Sequence, residues 1–209
     1  MTILDTIVAK KKVSVARQKR AVPLKKLLAS LNGPLAAPRF KKAIVSPGLH
    51  LIAEIKKASP SAGVIREPFD YLAFARAFEK AGASGLSVLT ENDFFQGRLS
   101  YFDDIRDAVR LPLLRKDFII DAYQIYESKL HRADAILLIA SLFTRARLEE
   151  QIDLCKKLKL DALVEVHDHA QLRKALDAGA SLIGINTRAI WQDIFVHEDT
   201  IPYSFCKTQ

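Results

Sequence analysis

The chain has 209 residues, 49% of them hydrophobic and 27% charged, which is a soluble globular composition with enough apolar material for one sizeable core. No apolar run is long enough to span a bilayer, and the opening "MTILDTIVAKKKVSVARQKR" lacks the uninterrupted apolar stretch of a secretory signal. The net charge of +8 is uneven: residues 1–44 carry +10 and the remainder −2.

The first element in chain order is helical, with Ile3, Ile7, Val8, Val13 and Val15 on one side and the lysines on the other. "PLKKLLASLNG" is a short helix, with Pro23 near its start and Asn32-Gly33 ending it, and "PRFKKAIVSPG" adds another turn or two. From residue 50 short apolar runs alternate with longer amphipathic ones. The predicted strands are "HLIAEIK", "GLSVLT", "LPLLRKD", "DAILLIA", "DALVEVH" and "SLIGIN". The predicted helices between them are "DYLAFARAFEKAG", "YFDDIRDAVR", "DAYQIYESKLHR", "TRARLEEQIDLCKKLK" and "DHAQLRKALDAGA". Recurrent strand-then-helix order signals an α/β fold with a parallel sheet.

Strand residues two apart share a face. Leu51, Ala53 and Ile55 therefore oppose Ile52, Glu54 and Lys56, and Leu114 shares its side with Lys116. Ala162, Val164 and Val166 oppose Leu163 and Glu165; Ile183 and Ile185 oppose Gly184, Asn186 and Arg188. One face is apolar throughout, and the other turns polar only at the C-terminal strand ends. A (β/α)₈ barrel gathers such strand ends on one pocket, whereas an open doubly wound sheet offers mainly one crevice. No GxGxxG or P-loop supports the second architecture.

Cys155 and Cys206 lie far apart without metal-type spacing, so neither a disulfide framework nor a metal site is implied, and the expected compartment is the cytoplasm. The basic arm admits three readings: nucleic-acid binding, a solvated helix face, or an electrostatic lure for an anionic substrate. Few aromatics lie near it and no binding motif is present, which weighs against nucleic acid. The stripe Leu72, Phe74, Ala75 and Phe78 is expected to be core.

Taken together, "IAEIKKASPSAG", "GLSVLTENDFFQGRLSYFDDIR", "LPLLRKDFIIDAYQIYES", "ADAILLIASL" and "LVEVHDHAQLRKALDAGASLIGINTR" resemble indole-3-glycerol phosphate synthase, in order, from about residue 1 to residue 188. The resemblance implies a (β/α)₈ barrel with an N-terminal helical extension. It also implies ring closure, decarboxylation and dehydration of 1-(2-carboxyphenylamino)-1-deoxyribulose 5-phosphate in tryptophan biosynthesis, without a cofactor or metal. By the same resemblance Lys116 is the general acid of ring closure. Lys56 is the second catalytic lysine, near the substrate carboxylate, and Glu54 holds it. Glu165 transfers a proton. Asn186 and Arg188 orient the anthranilate end, Ser59 contacts the phosphate, and Phe95 and Phe118 line the aromatic pocket. The implied partner is an anionic small molecule bearing a phosphate and a carboxylate.

Plainer readings compete with these roles. Glu54 and Lys56 could form a simple ion pair, Lys116 and Asp117 a solvated charge cluster, and Glu165 a helix cap, although Asp168 suits that task better. Lys57 faces away from Lys56 and is taken as structural; His167 and His169 are taken as solvent-facing.

The resemblance stops after Arg188. The family continues with two more strand-helix units, whereas this chain reads "AIWQDIFVHEDTIPYSFCKTQ", without a strand-helix-strand pattern. A smaller departure is His131-Arg132, where the family has a small residue and glycine. The expected organisation is a helical extension over 1–48, an incomplete barrel of about six strand-helix units over 49–188, and a divergent tail over 189–209. Open edges on the first and sixth strands would invite self-association. Three functional readings follow: the synthase, a truncated inactive remnant of it, or a basic-arm nucleic-acid binder.

Overall fold

The structure, a computed structural model, describes residues 2–31, 33–186 and 204–208. Helix α1, Ile3–Ala21, starts at a capping box: Thr2 Oγ1 accepts the Asp5 N–H, and the Asp5 carboxylate accepts the Thr2 N–H. Its buried stripe is Ile7, Lys11 and Val15, one residue per turn. This corrects the expected face, because Val13 and Ile3 are exposed while a lysine lies inward. A buried ammonium needs anions beside it, and the barrel rim supplies them (below). Helix α2, Leu24–Ala29, stops before the expected Asn32-Gly33, and Asn32 itself lies outside the described residues. Helix α3, Phe40–Ile44, follows.

The α/β unit then runs β1 Ile52–Ile55, β2 Ala58–Ser59, β3 Gly63–Val64, α4 Tyr71–Lys80, β4 Gly85–Leu89, α5 Leu99–Ala108, β5 Leu113–Lys116 and α6 Ala122–Leu130. It continues with β6 Ala135–Ile139, a 3₁₀ turn Ala140–Leu142, α7 Arg145–Lys157, β7 Asp161–Val166, α8 His169–Asp177 and β8 Leu182–Asn186. Side-chain N-caps start α4, α6, α7 and α8: Asp70, Asp121, Thr144 and Asp168 each accept a first-turn N–H. Helices α6, α7 and α8 therefore begin sharply within a few residues of the C-terminal ends of β5, β6 and β7.

The main sheet is parallel throughout, in the order β1-β4-β5-β6-β7-β8-β9. The six expected strands are all present. Strand β9, Ser204–Thr208, pairs alongside β8, so a strand stands where the sequence suggested a patternless tail. Its Phe and Thr are residue types that favour strands. The edge expected at the sixth strand is thus covered; β1 and β9 are the edges among the described residues. β2 and β3 form a small antiparallel hairpin beyond β1, which the sequence did not suggest.

Two apolar clusters separate the faces of the sheet. Ala53, Ile55, Leu86, Val88, Ile136, Leu138, Val164, Val166 and Ile183 pack outward against Ala75, Phe102, Ile105, Ile125, Leu148 and Ala175 of the helices. The opposite, concave face holds Leu114, Ala135, Leu137, Ile139, Leu163 and Leu182 around Phe40 of α3. Leu51 departs from the expected apolar set, being 59% exposed just before β1. In the stripe on α4, Ala75, Leu72 and Phe78 pack on the core, while Phe74 lies tilted against the Phe69 ring with Arg66 over its face.

The extension spans the barrel. Phe40 plugs the N-terminal strand end, Arg39 pairs with Asp134, and the Lys41 N–H donates to Asp161. At the other end Lys19 pairs with Asp121, and Lys10 lies over the Phe94 ring. Part of the arm's positive charge is therefore engaged within the molecule, which weakens the nucleic-acid reading. No described helix is long and apolar enough to cross a membrane.

Candidate active site

The concave face opens at the C-terminal strand ends into a cavity of about 410 Å³, lined by Glu54, Lys56, Ser59, Phe95, Lys116, Phe118, Glu165 and Asn186 among others. These are eight of the nine residues singled out from the sequence; Arg188 lies outside the described residues. Their convergence follows from the pleat. Glu54, Lys116, Glu165 and Asn186 each sit two or four residues beyond the concave-face residues Ile52, Leu114, Leu163 and Leu182.

Glu54 is the hub of one half. Lys56 Nζ donates to Oε1 at 2.7 Å and Lys116 Nζ lies 3.0 Å from Oε2, so one carboxylate orients two ammonium groups. Burial pushes the Glu54 carboxyl upward, but the charge of Lys116 and hydrogen bonds from both lysines outweigh it and hold it below its ordinary value. The pair read as a simple ion pair is thus part of a three-membered array. In the other half Asn186 Nδ2 donates to Glu165 Oε1 at 3.3 Å, and His167 Nε2 stands 3.5 Å from the same oxygen. Glu165 is not the cap of α8; Asp168 is, accepting the Gln171 N–H at 2.7 Å. His167 lines the cavity, against the solvent-facing expectation. Strand parity could have found it, since it follows Leu163 and Glu165 at steps of two.

The remaining walls are apolar or hydroxylic. The rings of Phe95 and Phe118 lie 6.1 Å apart, with Leu89, Leu137 and Ile139 around the cavity and Ile3, Leu4 and Ile7 of α1 across it. Ser59 and Ser61 sit on the β2–β3 hairpin, where Ser59 Oγ accepts the Ala62 N–H at 3.2 Å. Lys57 contributes its carbonyl to the Ile65 N–H and is absent from the cavity lining.

Beneath the rim is a buried charge network. Asp117, read as one half of a solvated cluster, is 3% exposed. It accepts hydrogen bonds from Thr90 at 2.8 Å and Arg115 at 3.0 Å, and Lys11 stands 2.6 Å away. Burial drives its carboxyl up, but the charges of Arg115 and Lys11 outweigh this and hold it at about 2. Arg115 also reaches Glu127 at 2.9 Å. The sequence reasoning missed Lys11 and Glu91 entirely. Lys11 was detectable only as the position midway between Ile7 and Val15 on one stripe. The His131-Arg132 departure carries its own compensation: Arg132 adopts φ 59°, a glycine-favouring conformation, and pairs with Asp107 at 2.8 Å, while His131 pairs with Asp103 at 2.7 Å.

Residues 4–199 match the family described as indole-3-glycerol phosphate synthase, so the match passes Arg188, where the resemblance read from the sequence stops. The indole-3-glycerol phosphate synthase of Thermoanaerobacter pseudethanolicus is 44% identical over 204 residues, covering 96% of this chain and 78% of that relative. The Chlorobium chlorochromatii enzyme of the same description is 46% identical over 192 residues, covering 90% and 74%. Among solved structures, a mandelate oxidase variant bound to 3,3,3-trifluoro-2,2-dihydroxypropanoic acid aligns with a TM-score of 0.51 at 14% identity, over 71% of this chain and 52% of that one. That likeness concerns the fold alone.

Proposed function

The chain belongs to the indole-3-glycerol phosphate synthase family, and on that premise we propose how its cavity carries out the family's ring closure. The activity is that of a lyase of tryptophan biosynthesis acting on a phosphorylated small molecule. The observation that carries the site reading is the single carboxylate of Glu54 shared by Lys56 and Lys116, in one cavity with Glu165 and Asn186.

In this reading the anthranilate ring lies against Phe95 and Phe118, with Asn186 orienting its end. Lys56 stands by the carboxylate, and Ser59 contacts the phosphate. The ring carbon bearing the carboxylate attacks the ketose carbonyl, and the Lys116 ammonium gives the forming alkoxide its proton. Carbon dioxide leaves, and the electron pair of the broken carbon–carboxylate bond stays behind to restore the aromatic ring. Lys56 then protonates the departing hydroxyl, which leaves as water, and Glu165 takes the proton released from the new ring. Each of these proton transfers is worth about 10²–10⁴-fold in rate. Glu54 keeps both ammonium groups aimed into the cavity, while Asn186 and His167 fix the Glu165 carboxylate.

The site of action is the cytoplasm in this reading; support comes from Cys155, whose buried thiol is free rather than disulfide-bonded. The test is direct. Purified protein is incubated with 1-(2-carboxyphenylamino)-1-deoxyribulose 5-phosphate, and the fluorescence of the indole product is followed. Steady product formation is expected; none above the blank at high protein concentration rejects the reading.

A further inference from the structure

Lys11 lies inside the molecule, although the helix carrying it offers ample solvent-facing positions for a cation. Its Nζ is 2.6 Å from Asp117 Oδ1 and 3.8 Å from Glu91 Oε1, and all three side chains are under a tenth exposed. Burying an ammonium costs several kcal/mol before its partners offset it. Ile7 and Val15, on the same stripe, fasten α1 without that cost. An ammonium there accomplishes what an apolar side chain cannot: it binds two carboxylates that belong to different loops.

Each of those carboxylates organises a loop bearing one ring of the cavity wall. Glu91 accepts the N–H groups of Asp93 at 3.1 Å, Phe94 at 2.7 Å and Phe95 at 3.2 Å, which folds the segment after β4. Asp117 accepts the N–H of Phe118 at 2.8 Å and directly follows Lys116. Lys10, the adjoining residue of α1, sits over the Phe94 ring at 4.8 Å. From these contacts we propose that Lys11 is a positioning residue for the reaction: its ammonium draws the loops after β4 and β5 together, and so sets the spacing of Phe95 and Phe118 and the placement of Lys116. The role in the reaction rests on the cavity being the active site; the loop clamp itself does not.

The test compares Lys11→Met with Val15→Ala, a cavity-forming change on the same buried stripe, and with Lys11→Gln as a second neutral variant should the first fold poorly. Amide hydrogen exchange without substrate reports the clamp. In Lys11→Met the N–H groups of Phe94, Phe95 and Phe118 should exchange about tenfold faster or more, and in Val15→Ala they should not. Kinetics report the consequence. kcat/KM should fall about 10²-fold in Lys11→Met, as expected of an ångström-scale misplacement. It should fall less than about threefold in Val15→Ala at equal helical content, and Lys11→Arg should recover most of the loss. Unchanged exchange in both neutral variants, or the same exchange and rate losses in Val15→Ala, overturns the proposal. Should the wild-type protein make no indole product, the functional reading falls, and the exchange experiment still decides the clamp.

Discussion

Lys116→Met separates chemistry from architecture at the centre of the cavity. The variant keeps most of the unbranched stem and removes the ammonium that stands 3.0 Å from Glu54 Oε2, where both side chains are about a quarter exposed. At that distance a pair of unit charges is worth about 1.4 kcal/mol in bulk water and about 5 kcal/mol at an effective dielectric near 20. Solvent at the cavity mouth makes the lower figure the safe bound. Without Lys116, the burial that already pushes the Glu54 carboxyl up is opposed by Lys56 alone, so Glu54 should titrate higher than in the wild type. Folding stability should change by no more than about 1 kcal/mol, because a partly exposed pair contributes little. The rate of indole formation should fall about 10²–10⁴-fold, or about 3–5 kcal/mol of transition-state stabilisation, if this ammonium is the general acid. Fluorescence assays give the rate, carbon-13 NMR of the Glu54 carboxyl gives the titration, and thermal melts give the stability. A rate within tenfold of wild type removes the assignment, and an unmoved Glu54 titration refutes the electrostatic argument.

Asp117 ties stability to acid. Its folded value of about 2 lies below the ordinary 3.8, so its contribution is complete above about pH 4 and is lost as pH falls through about 2. Urea midpoints should decline over that window, and Asp117→Asn should remove about 2 kcal/mol of the decline, from a lower baseline because two buried cations lose their partner. Phe40→Ala should cost about 3–5 kcal/mol in chemical denaturation, since the ring is fully buried at the foot of the concave cluster; a loss under about 1 kcal/mol would mean that this plug is dispensable. In Gly97→Ala the new Cβ would lie 2.3 Å from the Leu89 carbonyl oxygen, a backbone atom that cannot step aside cheaply. Stability should drop by about 1–3 kcal/mol and KM should rise as the Phe95 loop shifts; unchanged melting and kinetics would contradict this close packing.

The lysines and carboxylates of the cavity were legible because a strand has only two faces. Once Leu114 and Leu163 are assigned inward, Lys116 and Glu165 must follow them, and the register between neighbouring strands then brings them together. His167 obeys the same parity and was lost only to a general expectation about loop histidines. Lys11 was not legible in that way. Helical periodicity sorts residues by polarity, so it sends every lysine to solvent, and the anions that reverse this at Lys11 lie far along the chain. Strand β9 escaped for a related reason: a short edge strand is defined by its neighbour β8 more than by its own pattern. Arg132 was noticed as a departure, but its positive φ and its partner Asp107 required the fold.

The extension's grip on both ends of the sheet has a consequence for biosynthesis. Arg39 finds its carboxylate 95 residues downstream, and the Lys41 N–H finds its acceptor 120 residues downstream. The first contact cannot form until the ribosome has released the segment through Asp134, nor the second until it has released Asp161. The stretch translated first is therefore among the last to lock, and the nascent polypeptide carries its most cationic portion undocked while most of the sheet is still being made.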